Sequence, residues 1–400
     1  MQKNLNLEGT DQKNPVLARR PHSSLHHAPE FGSMRPSAEV PMHLKVISDM
    51  GAMDRIEHSW NQLMQSDASP YQTFGWVQAF FHHWNEWIDE MLVFTLTGRQ
   101  GIVAILPCYR IGAKLHLAAD EISPYNDMVA EDRAAAAELV ARAGTWVREY
   151  RNGYKFHFRS VREESLIHDA VRRLVEDEEG WTCIARDAGG SDSFHLEGGS
   201  ESYLESLSET GEIRLRQAGA FFNQKFPMDR LTVLRGCELR VNDLANAFEF
   251  FARCKAEGAD LPELDFQLFS ALGEASKDCD LGMQLASLSN EGEILAVSCG
   301  FAMNGVWHEY LRAEAEEHAR FEPAANLFIR CIERWHREDG LSTCSEMGTG
   351  IPASGEIERE RTNFLSITLK PDTKRHRLYD RLLGRGGVED SDDSDIFLAR

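Results

Sequence analysis

The chain has 400 residues, with 43 Lys and Arg against 64 Asp and Glu, a net charge of −21 at neutral pH. Its length exceeds the roughly 250–300 residues at which one hydrophobic core stops growing, which predicts two domains with tails. The acidic balance excludes the broad basic groove that nucleic acid needs, although backbone N–H groups at a helix end can still hold an anionic cofactor.

Eight scattered cysteines, with no CxxC pair and no His at zinc-finger spacing, read as reduced thiols in the cytoplasm. No apolar run approaches the ~18 residues of a spanning helix, and the N-terminus lacks the charged-then-apolar order of a signal peptide. The expectation is a cytoplasmic chain with neither membrane nor nucleic acid as partner.

Residues 1–40 mix Asn, Gln, Pro, Ser and His without periodicity and read as a disordered tail; His22, His26 and His27 lie there without fixed geometry. Domain 41–190 follows. Ile56, Trp60, Leu63 and Met64 share a helical face, Ser69-Pro70 ends that helix, and an aromatic helix over 74–87 follows. Its Trp76, Phe80, Phe81, Trp84 and Trp87 recur at helical spacing, which favours a core-facing helix over a sugar-binding platform. Strands are expected at 92–96, 102–109 and 155–158, and helices at 134–147 and 165–177. The glycines at 189–190 and 198–199 with Ser191 and Ser200 read as a linker.

Domain 191–375 carries helices at 202–207 and 241–257, a hairpin of 283–288 and 294–303 turning at Asn290-Glu291-Gly292, and a strand at 306–312. A helix over 324–337 starts on Pro323 and stops at Gly340, and strands at 343–347 and 364–369 close the domain. Residues 376–400 form an acidic flexible tail. The Pro-started helix is the chemically suggestive element. The free N–H groups and positive dipole end at Pro323, Ala324, Ala325 and Asn326 can bind a pyrophosphate without lysine, with a pantetheine arm along the preceding strand.

The stretches Glu309-Tyr310-Leu311-Arg312-Ala313-Glu314, Phe321-Glu322-Pro323-Ala324-Ala325-Asn326-Leu327-Phe328, Ile332-Glu333-Arg334-Trp335 and Glu346-Met347-Gly348-Thr349-Gly350 resemble the CelD-like acetyltransferases of the GNAT superfamily. The first half resembles the same family at Ser69-Pro70-Tyr71-Gln72-Thr73-Phe74-Gly75-Trp76, Ile105-Leu106-Pro107 and Pro124-Tyr125-Asn126-Asp127. The resemblance spans residues 55–370. It implies an α/β fold of two tandem GNAT-like domains related to FemABX proteins, each a mixed, mostly antiparallel sheet flanked by helices. It also implies N-acyl transfer from acetyl-CoA or another acyl-CoA to the amine of a small molecule or amino sugar, without metal.

Such transfer requires a base and oxyanion donors. Glu346, at a strand end by the implied cleft, is the first candidate base and Glu309 the second, with His308 and His318 as further ones. Tyr310, Arg312 and Arg361 are the implied substrate contacts. Two positions depart from the family pattern: Ala324 stands for a Gly, and Ser354-Gly355 stand where Tyr-Lys would fall. The alternatives are a non-catalytic scaffold or regulatory protein on a degenerate GNAT fold and a FemABX-like aminoacyl transferase.

Overall fold

A computed structural model describes residues 42–151, 153–196, 198–259, 261, 265–278, 281–345 and 360–372. The two expected tails and Glu346 lie outside the described residues.

Four antiparallel strands open the described residues: β1 (His43–Ile47), β2 (Glu90–Gly98), β3 (Gly101–Ile111) and β4 (Lys114–Leu117). Between β1 and β2 lie α1 (Met50–Asp54), α2 (Glu57–Leu63) and α3 (Phe74–Trp84). After the two-residue β5 (Val129–Ala130), α4 (Arg133–Tyr150) carries the chain over the sheet. Asp132 starts α4 by accepting the Ala135 N–H, and Ala136, Leu139, Val140, Ala143 and Val147 make one apolar stripe that buries against the strands. The crossover returns the chain as β6 (Lys155–Arg162), parallel to β4, with Lys114 beside Lys155 and Leu115 beside Phe156. Then come α5 (Leu166–Asp177) and β7 (Trp181–His195).

The second half repeats this plan. After α6 (Gly199–Glu205) and α7 (Glu209–Lys225), β8 (Asp229–Arg235), β9 (Met283–Asn290), β10 (Glu293–Met303) and β11 (Val306–Glu314) run antiparallel, with α8 (Val241–Ala256) and α9 (Phe266–Asp278) inserted after β8. Helix α10 (Pro323–Arg334) crosses over to β12 (Thr343–Ser345), parallel to β11, and β13 (Glu360–Pro371) ends the described chain.

The two halves then interlock. Strand β13 lies between β6 and β7, and β7 lies beside β12, so thirteen described strands form one mixed, mostly antiparallel sheet in the order β1-β2-β3-β4-β6-β13-β7-β12-β11-β10-β9-β8, with β5 on β3. This corrects one sequence expectation: Gly189, Gly190 and Ser191 are not a linker but part of β7. A Cβ on Gly190 would sit 2.4 Å from the Thr362 carbonyl oxygen, and the register of β13 against β7 slips between Asn363 and Leu365. The glycine therefore permits close approach of two backbones at a bulge.

Helices cover both faces. On one, α1–α3, α8 and α9 share a core that draws on both halves of the sheet, with Trp76, Phe80, Leu285, Phe301 and Leu311 fully or almost fully buried. The aromatic helix is thus core-facing, while Trp87, past its end, is exposed. On the other face α4 and α5 cover the first half, and α6, α7 and α10 the second. No helix among the described residues is long and apolar enough to cross a membrane.

Candidate active site

Parallel strands β11 and β12 pair only over Val306–His308 against Thr343–Ser345 among the described residues, while β11 continues to Glu314. A bulge shapes that continuation: Cys299 pairs with Leu311 but Gly300 pairs with Glu309, leaving Tyr310 as the extra residue. Gly300 makes it possible, because a Cβ there would meet the His308 carbonyl oxygen at 2.4 Å.

Beside this β11–β12 pairing, on the α3 face, is a cavity of about 300 Å³. Its walls come from both halves: Asp67 and Ala68 after α2, Tyr125 after β4, Arg162 at the end of β6, Ser191 and Ser193 of β7, Thr362 of β13, His308 of β11, and Thr343 and Ser345 of β12. Asn304, in the β10–β11 turn, donates to the Ala68 carbonyl at 2.9 Å and ties the α2 loop to the second half. A second cavity of about 310 Å³ shares Asp67, Ala68 and Arg162 with the first. Asp127 borders it, with its carboxylate accepting the N–H groups of Met128, Leu166 and Ile167; burial nonetheless raises its pKa to about 6.

His308 and Tyr125 form the centre of the first cavity. Tyr125 Oη and His308 Nδ1 are 3.4 Å apart, 183 residues apart in sequence, and Tyr71 packs edge-on against both rings. Burial, reinforced by the charge of Arg162, lowers the His308 pKa to about 3, so the ring is neutral at physiological pH. Burial also raises the Tyr125 pKa, against the lowering effects of Arg162 and a hydrogen bond with Ser69. The Arg162 guanidinium lies over the Tyr125 ring, 4.9 Å from its centroid. A neutral imidazole carries one N–H donor and one nitrogen acceptor, so the cavity combines a polar donor, hydroxyls and a cation.

The residues expected from sequence separate. Glu309 is fully buried on the α10 side of β11, facing away from the cavity, where it accepts from Ser298 Oγ and Trp307 Nε1 and lies 3.9 Å from Arg312. Arg312 is in that same core, its guanidinium over Phe328. Tyr310 is on the α3 face, donates to the Ile122 carbonyl at 3.3 Å and packs on Trp76. Arg361 is exposed on β13 and pairs with Asp192 at 3.3 Å; its neighbour Thr362 lines the cavity. His318 is near the surface, 3.1 Å from Glu293, in a group with Glu317 whose ligand atoms could hold a metal ion. Pro323, Ala324, Ala325 and Asn326 are the buried first turn of α10. The Ala324 N–H there donates to the Glu314 carboxylate at 2.9 Å, and Asn326 Nδ2 to the Phe321 and Glu322 carbonyls. In the sequence Tyr125 belongs to the family-like stretch without a role of its own and Arg162 carries no mark, because neither belongs to a spacing that signals chemistry.

No protein-family model and no curated protein matches the chain. Among solved structures, a conserved protein of unknown function from Bacteroides thetaiotaomicron VPI-5482 is 14% identical with a TM-score of 0.53, covering 82% of this chain and 99% of that one. FemX is 11% identical with a TM-score of 0.53, covering 84% and 99%. A tandem GNAT protein from the clavulanic acid biosynthesis pathway is 9% identical with a TM-score of 0.46, covering 83% and 99%. The first two likenesses are of fold: the chain shares the architecture of FemX, and its α/β fold of two halves, with a mixed, mostly antiparallel sheet flanked by helices, is the one expected from sequence.

Proposed function

We propose that this chain is an N-acyltransferase that moves an acyl group from an acyl-CoA, such as acetyl-CoA, to the amine of a small molecule in the cytoplasm. The observation that carries this reading is the polar cavity beside paired β11 and β12, with a neutral His308 beside Tyr125 at its centre. The amine nitrogen bonds to the thioester carbon, the carbon–sulfur bond breaks with its electron pair going to sulfur, and the proton shed by nitrogen passes through a base to the thiolate. A pKa of about 3 makes His308 a poor base near neutrality, where the best base titrates near 7. Its N–H is better suited to the oxyanion, as a donor worth roughly 100- to 1,000-fold in rate. The base we assign is Glu346, next in the chain after the cavity residue Ser345.

One observation favours a second reading. Glu314 occupies the Ala324 N–H that the pyrophosphate of coenzyme A would take, which suits a FemABX-like donor bound elsewhere. The test is thioester consumption with a panel of acyl-CoAs and small amines. Wild type is expected to turn over at least one pair, with Glu346→Gln and His308→Ala each about 100-fold slower. No consumption by wild type of any thioester with any amine overturns the reading.

A further inference from the structure

We propose that the acceptor is an amino acid, held in the cavity by its carboxylate on Arg162; this rests on the transferase reading above and names its substrate class. The observation is a cavity-lining cation that no carboxylate among the described residues pairs with. Other half-buried arginines in this acidic chain pair with carboxylates, among them Arg110 with Asp89 and Glu90, Arg159 with Glu121, and Arg235 with Glu338 and Asp339. Arg162 lines both cavities, is half-buried, and among the described residues forms no ion pair; its guanidinium rests on the Tyr125 ring. Asp127 feels its charge, but that carboxylate is committed to three backbone N–H groups.

A guanidinium over an aromatic ring still has N–H donors to offer, and its fork of donors matches the two oxygens of a carboxylate. Ser191 of β7 and Thr343 and Ser345 of the neighbouring β12 add hydroxyls that can donate to the same oxygens. The cavity near His308 carries one lining carboxylate, Asp67, and one lining guanidinium, Arg162, which are not paired with each other. One charge of each sign suits a zwitterion and disfavours a phosphorylated or multiply charged acceptor. The cavity, at about 300 Å³, is at the small end of ligand sites, which suits a single amino acid. A carboxylate on Arg162 would also cancel the second influence that keeps the neighbouring His308 ring unprotonated.

The test measures binding to the full chain without a donor, using the twenty amino acids and, for each, its carboxamide, by isothermal titration calorimetry. At least one amino acid is expected to bind, its amide at least ten-fold more weakly, and Arg162→Gln to lose about 10- to 100-fold of the affinity, with Arg162→Lys in between. The acid-against-amide comparison stands on wild type alone, should Arg162→Gln not fold. Equal affinity for acid and amide, unchanged affinity in a folded Arg162→Gln, or no binding by any amino acid would overturn the assignment. If an amino acid binds as expected but is never acylated, the carboxylate site stands and the transferase reading fails.

Discussion

Replacing His308 by Gln isolates the consequence of burying a titratable ring in the cavity. Folded His308 holds its pKa at about 3 against an ordinary 6.5, chiefly because burial penalises its charged form. The unfolded chain therefore takes up this proton first. The contribution is fully favourable to the fold above pH 6.5 and is lost as the pH falls toward 3. Integrated from pH 7 to pH 5, the shift amounts to about 2 kcal/mol of lost stability. Other groups overlap that window: Asp127, raised from 3.8 to about 6, works in the opposite direction, and His157, lowered to about 4 by burial, in the same one. Both are common to wild type and variant, so they cancel in the difference. Gln cannot take a proton in this range. Urea unfolding followed by tryptophan fluorescence at pH 7, 6 and 5 should show the stability advantage of wild type over His308→Gln shrinking by about 2 kcal/mol. Parallel pH profiles with equal m-values would show that the ring is not held neutral by burial, and the oxyanion role built on it would fall.

Two further perturbations test the α10 side of the sheet. Glu314→Gln removes a carboxylate from the Ala324 N–H, and calorimetry should show coenzyme A binding about ten-fold more tightly if the pyrophosphate docks on that helix end; an unchanged dissociation constant places the donor elsewhere. Glu309→Ala takes away the buried acceptor of Ser298 and Trp307 and the charge beside Arg312, and should destabilise the fold by about 3–5 kcal/mol in chemical denaturation. A loss below about 0.5 kcal/mol would show that Glu309 does not organise this core.

What the sequence determined by itself is local. The stripe from Ala136 to Val147 made α4 legible because a helix repeats its buried face every three to four residues, whatever lies opposite. Pro323 marked the start of α10 because its missing N–H costs nothing at the first turn. The expected helix over 324–337 continues past Arg334 only as a five-residue wider turn to Gly340, whose φ of 62° ends it. Helix α7 escaped notice because its buried residues are as sparse as Gly211, Leu215 and Phe222 among charges. Only the tertiary structure decided the rest. Gly190 looks the same in a linker and at a bulge; the Thr362 carbonyl that demands its missing Cβ comes from a strand far along the chain. The cavity has the same origin. Tyr125, Arg162 and His308 stand on separate elements, and they meet because β13 inserts between β6 and β7 and joins the two halves into one sheet. Periodicity reports which face of an element is buried, whereas a site is a coincidence of faces, fixed by strand order and register.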